Sequence, residues 1–186
     1  MTQHSHRIRS VVVRLGLVVL LLVLALRVCV GIVYPVRYEA LIERYSRQNG
    51  VPTALVYGVI RTESGFRADA VSPIGARGLM QITKDTFEWA KWRMGDERSV
   101  YEDLFDAETN IRYGTYILRL LIDEFEQTDT ALAAYHAGWG SVKGWLSKAE
   151  HSSDGKTLIS IPFANTARYV PRVLHAEAVY HTLYKK

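Results

Sequence analysis

Apolar and polar residues divide the chain into one long apolar segment followed by a series of amphipathic segments. Residues 11–33 read VVVRLGLVVLLLVLALRVCVGIV. A helix of this length spans roughly 34 Å, enough to cross the hydrocarbon core of a bilayer. Beyond it, apolar residues recur at helical spacing. The predicted helices cover residues 38–49, 52–63, 84–93, 106–125, 129–138, 141–148 and 165–184.

Residues suited to helix ends support these boundaries. Thr83 and Asp106 precede two of the helices, where a side-chain oxygen can accept a bond from a free backbone N–H. Gly50 follows another helix and suits its C-terminal end. Residues 64–79 and 151–161 lack helical periodicity and contain several glycine or polar residues. The predicted fold class is therefore mostly α, with irregular loops at one edge.

Basic residues at the N-terminus account for the net charge of the chain. There are 23 Lys and Arg against 19 Asp and Glu, a formal charge of +4. Residues 1–33 contain no acid and four arginines, so the remainder is neutral overall. This distribution argues against a nucleic-acid-binding surface on the folded part. The basic flank predicts that the N-terminus stays cytoplasmic while the rest crosses the membrane.

The apolar segment fits either an uncleaved anchor or a cleaved signal peptide. The run from Leu15 to Leu26 has the length of a signal h-region. Arg27 follows directly, however, and no small-x-small cleavage site is evident. We therefore expect residues 1–36 to form a cytoplasmic tip and a single transmembrane anchor. Residues 37–186 are expected to form one extracytoplasmic domain, since about 150 residues suffice for a hydrophobic core.

Glu63 is the first candidate for chemistry. It lies three residues after Ile60 and four after Val59, on the apolar side of its predicted helix. A carboxyl group directed at an apolar interior loses hydration, which raises its pKa and suits it to general acid catalysis. The alternative is a buried structural glutamate paired with an arginine. The candidate partners are Arg61, Arg67 and Arg77.

The segment after Glu63 is predicted to fold back tightly over the end of this helix. Three glycines and Pro73 lie within residues 64–79, and these residues permit sharp turns. Such a loop can bring N–H groups and polar side chains against a ligand. The polar contributors are Ser72, Gln81 and Tyr135. Each of Trp89, Trp92, Trp139 and Trp145 either stacks on a sugar face or packs in the core.

Four motifs in this order carry a resemblance to a known family. Residues 63–81 read ESGFRADAVSPIGARGLMQ, and residues 110–118 read NIRYGTYIL. Residues 131–142 read ALAAYHAGWGSV, and residues 161–174 read IPFANTARYVPRVL. Together they resemble the motifs of soluble lytic transglycosylase, or goose-lysozyme-like, domains. The resemblance implies a lysozyme-like helical domain behind the N-terminal transmembrane helix.

The resemblance also implies roles for individual residues. Glu63 matches the catalytic acid, with no metal and no cofactor expected. Substrate-binding positions fall on Ser72, Met80, Gln81, Tyr135, His136, Ala137 and Tyr169. Two positions depart from the family pattern, because His136 stands where asparagine is usual and Asn165 where glutamate is usual. Arg168 is shifted relative to the usual arginine.

The function implied is cleavage of peptidoglycan glycan strands. Family members cut the β-1,4 bond between N-acetylmuramic acid and N-acetylglucosamine and leave a 1,6-anhydromuramoyl end. Two alternatives stay open: a hydrolytic muramidase of the same fold, and a non-catalytic peptidoglycan-binding module. The expected partners are glycan strands and the membrane, with no nucleic acid. We expect a monomer with its catalytic domain on the extracytoplasmic side.

Overall fold

The computed structural model describes residues 2–183, which divide into two compact units at residues 36 and 37. The first unit consists of helix α1, Thr2–Val33. Its stretch Arg14–Val33 comprises 20 residues with a mean hydropathy of 2.9, and none of it is buried. The long helix predicted over the apolar segment is therefore present, with a length and composition suited to a membrane span.

The second unit consists of seven α-helices and one short 3₁₀ turn, Tyr101–Phe105, within the described residues. The mostly α class is confirmed. The 3₁₀ turn was not predicted from the sequence. The helices are α2 Glu39–Asn49, α3 Thr53–Glu63, α4 Lys84–Met94, α5 Ala107–Phe125, α6 Thr128–Ala137, α7 Trp139–Leu146 and α8 Ala164–Leu183.

The predicted helix boundaries hold where a capping residue is present. The Thr83 hydroxyl accepts a bond from the Thr86 N–H at the start of α4. The Asp106 carboxylate does the same for Thr109 at the start of α5, at 2.8 Å. Gly50 ends α2 with a φ of 65°, a conformation that favours glycine.

Most predicted helix starts lie within one residue of the observed ones, and the start of α7 differs by two residues. The α6 helix begins at Thr128, because the Asp129 carboxylate bonds the adjacent Thr130 N–H instead of capping the helix. The α7 helix begins at Trp139, directly after Gly138, and not at Ser141. The predicted end of α8 at Tyr184 lies outside the described residues.

Helix α3 lies at the centre of the core and packs closely against α8. Residues 55–60 of α3 are all buried. At Gly58 an added Cβ atom would lie 2.9 Å from the Val173 carbonyl oxygen, so only glycine permits this approach. Tyr57 of α3 stacks on Tyr180 of α8, with ring centroids 4.8 Å apart. The close packing holds the C-terminal end of α3 against the first turns of α8.

The spacing of apolar residues predicts an inner face of α8 made of Val170, Val173, Leu174, Ala178 and Leu183, and the structure differs from this in the second half of the helix. Val170 and Val173 are buried as expected, whereas Ala178 and Leu183 are exposed. Ala176 and Tyr180 are buried in their place. The sequence pattern did not indicate Tyr180 as an inner residue because tyrosine carries a polar hydroxyl, although its large ring is buried here.

Candidate active site

Glu63 is the last residue of α3 and is partly buried. Burial raises the pKa of its carboxyl group from 4.5 to about 7, since an ionised carboxylate loses hydration in this position. Tyr169 and the positive charge of Arg172 oppose this effect and lower the pKa. A group with a pKa near 7 is protonated in a large fraction of molecules at neutral pH and can donate or accept a proton.

Two of the three arginines proposed as structural partners of Glu63 make their described contacts elsewhere. The Arg77 guanidinium pairs with Glu102 at 3.1 Å, and Arg67 donates to the Ser64 carbonyl at 3.0 Å. Arg172, which was not singled out from the sequence, supplies the positive charge near Glu63 instead. It comes from α8, more than one hundred residues further along the chain, so no local pattern could have indicated it.

Two buried tyrosine hydroxyls lie beside the Glu63 carboxyl. The Tyr135 hydroxyl donates to the Met80 carbonyl at 2.8 Å, and burial together with the Glu63 charge raises its pKa. The Tyr169 hydroxyl interacts with Glu63 itself. That interaction is looser than an ordinary hydrogen bond, because the Tyr169 hydroxyl has no partner within ordinary distance and angle limits among the described residues.

The loop of residues 64–83 folds back on itself as predicted. Backbone bonds join Arg77 and Ile82 in both directions, at 3.0 and 3.1 Å. The Ser72 hydroxyl accepts from the Ala76 N–H at 3.0 Å. The Gln81 side chain donates to the carbonyls of Ala70 and Gly78, at 3.1 and 2.9 Å. Both polar residues assigned to ligand binding thus also shape the loop.

Asn110 of α5 anchors this loop and was not assigned a role from the sequence. Its side chain is fully buried. It accepts from the Met80 N–H at 2.8 Å and donates to the carbonyls of Arg77 at 3.0 Å and Leu104 at 2.8 Å. Gly78 has a φ of 75°, and a Cβ there would collide with the Asn110 amide. Asn110 is the first residue of the second motif, and that position was the signal in the sequence that could have indicated its role.

Met80 is in the core and not on the surface of a groove. Its side chain is 0% exposed and lies so close to Gly114 that a Cβ atom there would overlap the Met80 sulfur. What Met80 presents to the site is its backbone carbonyl, the acceptor for Tyr135. The side chain therefore supports the loop from beneath, which differs from the substrate contact that the resemblance implied.

The end of α6 brings His136 against the start of α8. The His136 Nδ1 atom is 2.9 Å from the Thr166 hydroxyl oxygen. The imidazole also lies over the Tyr169 ring, with centroids 4.4 Å apart and planes inclined by 33°. Thr166 is 1% exposed, and His136 is the hydrogen-bond partner described for its buried hydroxyl. Ala137 and Gly138 follow and end the helix.

Two open cavities flank the segment of residues 135–138. The first has a volume of about 540 Å³ and is lined on one side by Gln81 and Tyr135. Trp89 and Trp139 also line it, whereas Trp145 is buried in the core. The second cavity, about 530 Å³, is lined by His136, Ala137 and residues 162–166. Tyr135, which lies beside the Glu63 carboxyl, lines the first cavity, and His136, which packs on the Tyr169 ring, lines the second.

The site contains a single acid with a pKa suited to proton transfer. No second carboxylate is among the groups that shift the Glu63 pKa. Within residues 2–183 there is no cluster of three His, Cys, Asp or Glu side chains arranged to bind a metal ion. The arrangement is one protonatable carboxyl beside two buried tyrosine hydroxyls, with open cavities flanking the nearby segment of residues 135–138.

The fold agrees with comparisons to known proteins. The transglycosylase SLT domain family matches residues 40–158, well over half of the chain. The chain therefore belongs to this family. Among relatives, the soluble lytic murein transglycosylase of Escherichia coli is 35% identical over 150 residues, which cover 79% of this chain and 23% of that protein.

A second relative and two solved structures extend this picture. Membrane-bound lytic murein transglycosylase C of Actinobacillus succinogenes is 34% identical over 119 residues, covering 57% of this chain and 32% of that protein. The 70 kDa soluble lytic transglycosylase of Escherichia coli matches with a TM-score of 0.72 at 30% identity, over 81% of this chain and 25% of its own. An inactive glutamate-to-glutamine mutant of lytic transglycosylase Slt from Pseudomonas aeruginosa matches with a TM-score of 0.73 at 28% identity. The match covers 84% of this chain and 26% of that protein.

These matches confirm the predicted family and the lysozyme-like fold. The chain spans only about a quarter of the length of the soluble relatives it matches.

Proposed function

We propose that residues 37–186 cleave the glycan strands of peptidoglycan as a lytic transglycosylase, with Glu63 as the catalytic residue. The observation that carries this proposal is the single carboxyl with a pKa of about 7, beside the hydroxyl of Tyr135, a residue that lines an open cavity. The names of the relatives, lytic murein transglycosylases, support the same activity. Ser72, Gln81, Tyr135, His136, Ala137 and Tyr169 are proposed to contact or shape the substrate groove.

In the first step protonated Glu63 donates its proton to the glycosidic oxygen between N-acetylmuramic acid and N-acetylglucosamine. The bond to the anomeric carbon breaks, and N-acetylglucosamine leaves with a free hydroxyl. The carbonyl of the muramoyl N-acetyl group stabilises the positive charge at the anomeric carbon. A raised pKa suits Glu63 to this step because it holds the proton near neutral pH.

In the second step the Glu63 carboxylate accepts the proton of the muramoyl C6 hydroxyl. The C6 oxygen attacks the anomeric carbon and closes a 1,6-anhydro ring, which restores protonated Glu63. No water is consumed. The nucleophile belongs to the same sugar, so its effective concentration is high. One carboxyl therefore suffices, whereas most glycosidases need two.

Mass spectrometry of digested peptidoglycan tests this proposal. The wild-type chain should release products with a 1,6-anhydromuramoyl end, about 18 Da lighter than hydrolytic products because one water is not added. Glu63→Gln should lower the rate of cleavage by at least about 10²–10⁴-fold, which is the usual contribution of general acid–base catalysis to the rate. Asp69→Asn is the matched control, since it removes an exposed carboxylate close in sequence. Reducing-end products would identify a muramidase, and an active Glu63→Gln would refute the mechanism.

We also propose that residues 1–36 anchor the domain in the cytoplasmic membrane by one helix, with the N-terminus inside. The apolar stretch Arg14–Val33 and the membrane-bound relatives support anchoring. The basic residues before the stretch support the direction. The domain would then act on peptidoglycan within reach of the membrane surface, as a monomer.

A further inference from the structure

His136 occupies a position with two independent attachments to α8. Its Nδ1 atom bonds the Thr166 hydroxyl at 2.9 Å, and its ring covers the Tyr169 ring at a centroid distance of 4.4 Å. Thr166 and Tyr169 are one turn apart on α8 and both are buried. The imidazole is thus held at one edge by a buried hydroxyl while its face rests on a buried aromatic ring.

Tyr169 connects this imidazole with Glu63. Its ring contacts His136, and its hydroxyl interacts with the Glu63 carboxyl. The hydroxyl has no other partner among the described residues, and its geometry toward Glu63 is loose. A loosely bonded group keeps its direction only if its ring is held in place by packing. His136 provides such packing on the side of the second cavity, which it lines.

We propose that His136 is a positioning residue, which holds the Tyr169 ring so that the tyrosine hydroxyl stays directed at the Glu63 carboxyl. An asparagine at this position, usual in the family motif, can bond Thr166 but has no aromatic face to support the ring. The inference rests on the proposed function for its kinetic test. Its structural test does not require any activity.

The groups around Glu63 determine the direction of the expected effect. Tyr135 approaches from α6, and Tyr169 and Arg172 approach from α8, while His136 contacts Tyr169 and Thr166. The Tyr169 hydroxyl lowers the pKa of Glu63, because an O–H donor stabilises the carboxylate. Releasing the Tyr169 ring should therefore raise the pKa of Glu63 further. Partial burial lowers the pKa of His136 from its usual value.

The experiment measures kcat and KM of the full chain as a function of pH for four variants. His136→Ala and His136→Asn should lower kcat by about tenfold or more, because misplaced catalytic groups cost that much. Both should move the alkaline limb of the pH profile upward by roughly half a unit to one unit. His136→Phe retains an aromatic face but cannot bond Thr166. Its pH profile should have the alkaline limb at the wild-type position. Tyr169→Phe should reproduce the shift.

Combining His136→Ala with Tyr169→Phe completes the test. If His136 acts through the tyrosine hydroxyl, the double variant should shift the limb no further than Tyr169→Phe alone. A rise in KM with an unmoved limb in His136→Ala would overturn the proposal, since it would indicate direct substrate contact. Equal effects of Phe, Asn and Ala at position 136 would also overturn it.

A measurement without substrate separates failure of this inference from failure of the proposed function. The pH dependence of the free energy of unfolding, compared with that of Glu63→Gln, reports the Glu63 pKa directly. His136→Ala should move that pKa upward even in a chain that cleaves nothing, and His136→Phe should not. An unchanged pKa in a well-folded His136→Ala variant would refute the positioning role.

Discussion

Replacing Glu63 with glutamine should make the folded domain more stable at alkaline pH while it removes activity. The substitution keeps the size of the side chain and its capacity to accept a bond from Tyr169. It removes the only group at this position that becomes charged. Because the ionised carboxylate is poorly hydrated in the folded state, the wild-type chain loses stability whenever Glu63 must ionise.

The magnitude follows from the shift in pKa. The folded state holds the Glu63 proton with a pKa of about 7, against 4.5 as the ordinary value. The proton therefore stabilises the folded state fully below the lower value, and this contribution is lost as pH rises through the higher one. A shift of this size corresponds to about 3 kcal/mol. The stability of Glu63→Gln relative to wild type should rise by that amount from about pH 4 to about pH 8.5.

Denaturant unfolding followed by tryptophan fluorescence measures this difference. All four tryptophans lie within residues 37–186, so the signal of the full chain in a non-ionic detergent reports this domain. Glu88→Gln is the control, because it removes an exposed carboxylate from α4 and should leave stability close to wild type. A Glu63→Gln variant whose advantage does not change with pH would show that burial does not determine the Glu63 pKa.

Two further predictions concern the loop anchor and the membrane segment. Asn110→Ala should lower the free energy of unfolding by about 3–5 kcal/mol, since it leaves the Met80 N–H and the Leu104 carbonyl buried without partners. The control is Asn165→Ala, which changes an exposed asparagine. An equal loss of stability in both variants would contradict this prediction. The native protein should retain its N-terminus and fractionate with membranes; N-terminal sequencing that begins after residue 34 would contradict an uncleaved anchor.

Local sequence was enough to define most of the helices and the location of the acid. Thr83, Asp106 and Gly50 mark helix ends because capping involves neighbours a few residues away. Glu63 was found because helical periodicity places it on the apolar side of α3. The motifs are contiguous strings of residues, so the amino-acid order alone indicated the family.

The tuning of the acid, by contrast, depends on how the helices pack. The partners of Glu63 come from α6 and α8, and the loop anchor Asn110 comes from α5. Contacts between residues thirty or more positions apart are not encoded in spacing along the chain. For the same reason the family resemblance did not indicate the burial of the Met80 side chain, which depends on Gly114 of a distant helix. The pKa of about 7 arises from that packing, because burial is a property of the folded chain.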